Sequence, residues 1–220
     1  MPPLPTCRVT TDMKKVFNNV GIDFTGPLKL KSNSPNEKLY VLVITCTVVR
    51  AVHFELVNKM DVVSCTNALK RFFYRRGIPS LIISDSARTF YAVSKQMEKD
   101  FRITWNFITP LSPWKGGFYE RINRSLKEPI KQCLVRKLLS YSEIQTLICQ
   151  IEAIINSRPL TTSSDDSNDD LLLTPAHFLI GGSLLTLPTF DNTLGDTQSI
   201  CKLWKGRNDS LRAFWLIWKR

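Results

Sequence analysis

The four residues Leu81 to Ser84, Leu-Ile-Ile-Ser, limit what this chain can fold into more than any other stretch. They are too few for a helix, and their apolar run fits a strand buried on both faces, which requires a sheet covered on either side. The flanks supply the covers. Asp61 to Arg76 reads as a helix with Asp61 as N-cap, with Val62, Cys65, Leu69, Phe72 and Phe73 as its buried side and Gly77 and Pro79 as its stop. A second helix is expected over Phe90 to Asp100, followed by a strand over Ile103 to Phe107. Upstream, Asn18 to Pro27 reads as a strand ended by Gly26-Pro27, with Val20, Ile22 and Phe24 on one face and Asp23 on the other. Leu39 to Val49 and Ala51 to Leu56 are β-branched-rich and read as two neighbouring strands. Strands first, then helices alternating with further strands, give an α/β domain built on a mixed sheet.

Charge narrows the class of partner. Lys and Arg outnumber Asp and Glu by 30 to 19, a formal net charge of +11. Residues 160 to 200 carry six Asp and no Lys or Arg, whereas 202 to 220 carry six cations and one Asp. Removing the −6 of the first segment and the +5 of the second from the total leaves +12 on residues 1 to 159. A basic field on the core favours a polyanion such as nucleic acid over an acidic small molecule. Six scattered cysteines without a CxxC pair, and only two histidines, argue against a zinc knuckle or a disulfide framework. The longest apolar run, Tyr40 to Val49, is too short to span a bilayer, and the N-terminus has no apolar signal core. An intracellular, non-secreted protein without a membrane partner is expected.

A second constellation lies between Thr109 and Lys131, where a Pro/Gly-rich loop feeds a basic helix beginning near Phe118. Phe118, Ile122, Leu126 and Ile130 recur at helical spacing as a core face; Glu120, Arg124, Lys127 and Lys131 form a second stripe. Gly116 and Gly117 stand before the acid as a hinge. The stripe reads either as a phosphate-handling surface headed by a carboxylate or as the solvated face of an amphipathic helix. Trp114 and Tyr119 fit base stacking and loop anchoring equally. Arg71, Arg75 and Arg76 fit a phosphate patch or a solvated face, and His53 reads as a strand residue. Ser142 to Asn156 is a further packing helix, and Leu173 to Gly182 a segment packing back on the core.

Asp23 in the first strand, Asp85 at the end of the fourth and Glu120 at the head of a helix fall where an open sheet gathers its ligand-binding side chains. Two carboxylates 4 Å apart repel by about 4 kcal/mol at an effective dielectric of 20. A divalent cation relieves that repulsion, and oxygen ligands suit Mg²⁺ or Mn²⁺; two such ions can promote in-line phosphoryl transfer. Taken singly, each acid also fits a structural role: Asp23 a turn residue, Asp85 a helix N-cap, Glu120 a complement to the helix dipole.

The pieces LPTCRVT, VGIDFTGPL around Asp23, SDSARTF around Asp85, PLSPWKGGFYERINRSLK around Glu120 and EAIINSRPLTTSSDDSNDDLLLTPAHFLIGG after it cover most of residues 4 to 188. In these pieces the chain resembles the integrase catalytic core of LTR retrotransposons, most closely the Bel/Pao class. The resemblance implies a ribonuclease H-like fold with a five-stranded mixed sheet, which the order of elements matches but does not by itself select. It implies a catalytic, metal-holding triad of Asp23, Asp85 and Glu120 with Mg²⁺ or Mn²⁺, two ions in the family's chemistry. It also implies DNA contacts at Arg124 and Lys127, extended by their neighbours Lys131, Lys115 and Trp114. The expected reactions are trimming of an element's 3′ end and attack of that hydroxyl on target DNA, by a homo-oligomer, in the nucleus or a virus-like particle. The domain plan is then an extended lead-in over 1 to 16, a catalytic core over 17 to 160, an acidic loop and post-core segment over 161 to 190, and the truncated start of a following domain over 191 to 220.

The sequence departs from the family at several points. Asp85-Ser86-Ala87 stands where the family has Asp-Asn-Gly, and a left-handed Ala costs about 1 to 2 kcal/mol. Trp114-Lys115 replaces a histidine common before the double glycine, and Pro129 inside the helix is expected to kink it. These departures keep two other readings open: a catalytically inactive DNA-binding remnant of such an integrase, and a structure-directed nuclease on the same fold.

Overall fold

A computed structural model describes residues 15–30, 38–108, 139–160, 173–182 and 184. Five strands, β1 (Asn19–Lys29), β2 (Lys38–Cys46), β3 (Val52–Val57), β4 (Leu81–Ser84) and β5 (Thr104–Phe107), form one sheet in the order β3-β2-β1-β4-β5. The first three pair antiparallel, while β1, β4 and β5 run parallel. The described helices are α1 (Val62–Arg76), α2 (Arg88–Phe101), α3 (Tyr141–Asn156) and the short α4 (Pro175–Ile180). This mixed sheet between helical layers is the ribonuclease H-like architecture.

The sheet is covered on both faces, as the apolar β4 run requires. Val20 and Ile22 of β1, Leu42 and Ile44 of β2 and Ile82 of β4 pack with Phe72 of α1 and with Phe90, Val93 and Met97 of α2. The alternate residues Val41, Val43, Val52, Phe54 and Leu56 pack under Ile144, Leu147, Ile148, Ile151 and Ile155 of α3. Strand periodicity of two splits these sets cleanly. Phe17, outside any strand, is only 1% exposed and meets Phe72 edge-on at 5.4 Å. Phe178 and Leu179 of α4 pack against the α1/α2 core, as expected for the Leu173 to Gly182 segment.

Helix ends follow their local chemistry. Asp61 caps α1 by accepting from Ser64 N–H at 2.7 Å. Ser140 and Glu143 form a reciprocal capping box on α3. Several expectations need correction. β1 continues to Lys29 past Gly26-Pro27, which makes a register irregularity between Thr25 and Leu28 rather than an end. β2 stops at Cys46, short of Val49, and α2 begins two residues earlier than Phe90. Val62 is exposed rather than part of the buried side of α1.

The outer strand β3 is closed against further pairing by side chains. Asn156 Oδ1 accepts from Val52 N–H at 2.8 Å and its Nδ2 donates to Val52 C=O at 2.9 Å. Glu152 Oε2 accepts from Phe54 N–H at 2.8 Å, and Arg71 donates to Leu56 C=O at 3.0 Å. Unpaired edge groups would otherwise template aggregation. On the same strand, buried Glu55 is bound by Arg71 and Arg75 of α1 and by His53. Arg76 pairs with Glu152 at 3.2 Å. The three α1 arginines are held by acids of the fold rather than free for phosphate, while Arg71 and Arg75 stay exposed on the helix's solvated face.

Candidate active site

Asp23 sits in the middle of β1, opposite Val43 of β2. Phe24 stacks on Phe90 of α2 at 5.0 Å, fixing Val20, Ile22 and Phe24 toward that layer and placing Gly21 and Asp23 on the opposite face. The parallel register pairs Val20 with Ile82 and Gly21 with Ile83. That pairing ends at Gly21 and Ile83, and Asp23 and Asp85 each lie two residues beyond it, toward the same end of the two strands. Both acids therefore belong to the side of the sheet at the C-terminal end of β4, where open sheets bind ligands. Ile83 in turn pairs with Asn106 of β5, which is exposed.

Neither aspartate takes the structural role open to it. Asp23 is a half-buried strand residue rather than a turn residue. Asp85 is exposed and is not the N-cap of α2, which is Ala87 and has no side-chain cap bond. One Asp85 oxygen, Oδ1, accepts from Ala87 N–H at 3.1 Å, closing a local turn. Its other oxygen has no partner among the described residues. Ala87 has φ −59 and ψ 139, outside the left-handed region, so replacement of the family's glycine strains nothing here.

The backbone that carries Asp85 is held from beneath. Trp105 Nε1 of β5 donates to the buried Ser84 Oγ at 2.9 Å, and Ser84 Oγ donates to Asp85 C=O at 2.9 Å. Ile108 N–H donates to Ser84 C=O at 2.9 Å, and Ser86 Oγ to Ile108 C=O at 3.4 Å. Sequence reasoning did not single out Ser84 or Trp105. The available signal was Ser84 itself, a hydroxyl closing an otherwise apolar strand immediately before the acid.

Two carboxylates on adjacent strands, one of them exposed, are a donor set for a hard divalent cation, which takes oxygen ligands and retains water. Among the described residues no group of three acidic, histidine or cysteine side chains could hold a metal. Asp23 and Asp85 alone would supply only part of the oxygen ligands that Mg²⁺ or Mn²⁺ takes. Glu120, Arg124, Lys127, Lys131, Lys115, Trp114, Gly116 and Gly117 lie outside the described residues, as do Tyr119, Pro129 and the acidic run over 165–170. No helix among the described residues is long and apolar enough to cross a membrane.

No family model matches the sequence, and no curated protein matches it. Solved structures do. A chain of the simian T-cell lymphotropic virus intasome, determined in complex with PP2A regulatory subunit B56 gamma, superposes with a TM-score of 0.57 at 16% identity, covering 86% of this chain and 64% of that one. This chain thus spans under two thirds of that intasome chain. The HTLV-2 integrase catalytic core domain in complex with magnesium superposes in its dimeric form with a TM-score of 0.53 at 17% identity, covering 75% of this chain and 97% of that one. Its trimeric form gives 0.51 at 17%, with 74% and 97% coverage. The fold is that of retroviral integrase catalytic cores.

Proposed function

We propose that the chain is an integrase-type polynucleotidyl transferase that trims the 3′ ends of a retrotransposon's DNA and joins them to target DNA. One observation supports this reading: on a sheet shared with integrase catalytic cores, Asp23 and Asp85 each lie two residues beyond the last β1–β4 pair, toward the ligand-binding edge. Glu120 completes the triad in this proposal, with Arg124, Lys127, Lys131, Lys115 and Trp114 contacting DNA across the Gly116-Gly117 hinge. Bound divalent ions, two in this proposal, would supply Lewis-acid activation of an oxygen nucleophile and neutralise charge on the leaving oxygen. The chain's own residues do the rest: Asp23 and Asp85 hold the cation from adjacent strands, and the Trp105-Ser84 pair keeps the Asp85 backbone in place.

The magnesium in the HTLV-2 core structure supports a divalent-metal requirement, and the dimeric and trimeric forms of that core support a homo-oligomer here. The net charge of +11 supports a DNA partner. Membership of the Bel/Pao class and action in the nucleus or in a virus-like particle belong to the same proposal. The relaxed backbone at Ala87 removes one reason to read the chain as an inactive remnant.

The test uses the full chain with Mn²⁺ or Mg²⁺ and oligonucleotide duplexes ending in the parent element's terminal sequence. Wild type is expected to nick near the 3′ end and to join ends to a second duplex; Asp85→Asn is expected to do neither. Joining that survives Asp85→Asn overturns the proposal. DNA binding by wild type without nicking or joining under any divalent cation would instead mark an inactive remnant.

A further inference from the structure

The outward face of α2 carries four cations in one line. Arg88, Lys95, Lys99 and Arg102 recur at intervals of seven, four and three residues, opposite the buried residues Phe90, Val93 and Met97. All four are exposed. None makes an ion pair among the described residues, in contrast to Arg71, Arg75 and Arg76 of the neighbouring α1, which Glu55 and Glu152 hold. Of the helix's two acids, Glu98 flanks the line and Asp100 lies off it, and neither carboxylate pairs with a member of it among the described residues.

An aromatic ring is built into the line. Tyr91 is 56% exposed, and its ring rests against Phe107 of β5 at 5.7 Å. Lys95 Nζ lies 4.9 Å from the Tyr91 ring centre, which orders that ammonium without neutralising it. The line starts three residues after Asp85. From Arg88 to Lys99 it runs about 16 Å at 1.5 Å per residue, the rise of about five nucleotides of one strand.

We infer that this face of α2 is a track for the DNA phosphate backbone, leading duplex DNA away from the Asp23–Asp85 patch. The inference rests on the integrase reading for its choice of DNA. Charge complementarity identifies the occupant: cations without an ion pair among the described residues, lined up on one helix face, suit a run of phosphates. Such contacts position the duplex and carry no base readout, so they act equally on every sequence.

The experiment measures duplex affinity of the full chain across salt concentrations, in an Asp85→Asn background so that turnover does not interfere. The variant is Lys95→Gln, Lys99→Gln and Arg102→Asn together; Asn is chosen at 102 because Arg102 has φ 56, a conformation Asn tolerates. A charge-matched control removes Lys38, Lys59 and Lys70 by Gln substitution. The α2 variant is expected to bind about tenfold more weakly at 100 mM salt and to lower the salt slope by about 3, equally for unrelated sequences. The control is expected to change the slope by less than 1. Equal losses in both variants, or an α2 variant that binds like its parent, overturn the track while leaving the integrase reading intact. A parent that binds no duplex overturns both.

Discussion

Asp23 of β1 and Asp85 after β4 each lie two residues beyond the last pair of one parallel register, Gly21 and Ile83, although 61 residues lie between them in the chain. Strand pairing brings them to the same end of the sheet, because β1 and β4 are neighbours in it while β2, β3 and α1 intervene in sequence. A carboxylate pair held this way costs electrostatic repulsion unless a cation sits between its members. Conversion of either to its amide is therefore expected to abolish strand joining by at least 100-fold, while the unfolding midpoint without metal stays unchanged or rises. Activity assays paired with thermal unfolding check this; parallel loss of fold and activity would assign the pair a structural role instead.

Ser84 links β5 to the Asp85 backbone. In Ser84→Ala the Trp105 indole N–H is left buried without an acceptor, a cost of about 1 to 3 kcal/mol. Removing both partners with Ser84→Ala and Trp105→Phe is expected to cost less than the sum of the single changes. Denaturant unfolding of the three variants measures the coupling, and additive losses would show that the bond contributes nothing.

His53 is caught between two carboxylates, Glu55 at 2.9 Å from Nε2 and Glu152 at 3.3 Å from Nδ1. Nε2 is hydrogen-bonded to Glu55, whereas Nδ1 makes no hydrogen bond and meets Glu152 only at ion-pair distance, so the two carboxylates favour the protonated ring. Burial pushes its pKa down, but Glu152 and Glu55 outweigh burial and raise it above the ordinary 6.5. Burial pushes Glu55 up, yet His53, Arg71 and Arg75 bring it below 4.5. A raised imidazole contributes stability that is complete below 6.5 and is lost as pH rises through its folded value. The lowered carboxylate contributes above 4.5 and fails as pH falls. Stability from this cluster is expected to be greatest between pH 4.5 and 6.5 and to decline above it. The decline is expected to be shallower in His53→Gln, as read from unfolding midpoints between pH 5 and 9; identical slopes would contradict a charged His53.

Asn156 closes the sheet edge by engaging both backbone groups of Val52. Asn156→Leu is expected to cost about 2 to 4 kcal/mol by leaving two buried peptide groups unpaired. Light scattering on heating should show earlier self-association, since the uncovered edge can pair with another copy. Unchanged stability and scattering would mean that water replaces the side chain.

The sequence carried the fold where periodicity and punctuation agreed. Leu81–Ser84 is a buried central strand, paired on both edges by β1 and β5 with Ile82 packed in the core under the helices, and Asp61 as N-cap and Gly77 at φ 89 bracket α1. It misled where tertiary context overrides a local signal: Gly26-Pro27 reads as a stop, but β1 keeps its partner Leu39 beyond the irregularity. The Glu55 network was not legible, because Glu55, His53 and Glu152 look like ordinary polar residues until β3, α1 and α3 meet. Asp23 and Asp85 were legible as candidates from their places at a strand and a strand end, whereas their place at the same end of the sheet required the strand pairing.

The joint claim on a divalent cation is open to a direct structural readout that needs no turnover. Mn²⁺ added to the isotope-labelled protein broadens the amide resonances nearest to where it binds. Selective broadening at both Gly21–Phe24 and Ser84–Ala87, lost in Asp23→Asn and in Asp85→Asn, is the expected result. Broadening confined to other surfaces, or unchanged by either substitution, would contradict a cation shared by Asp23 and Asp85.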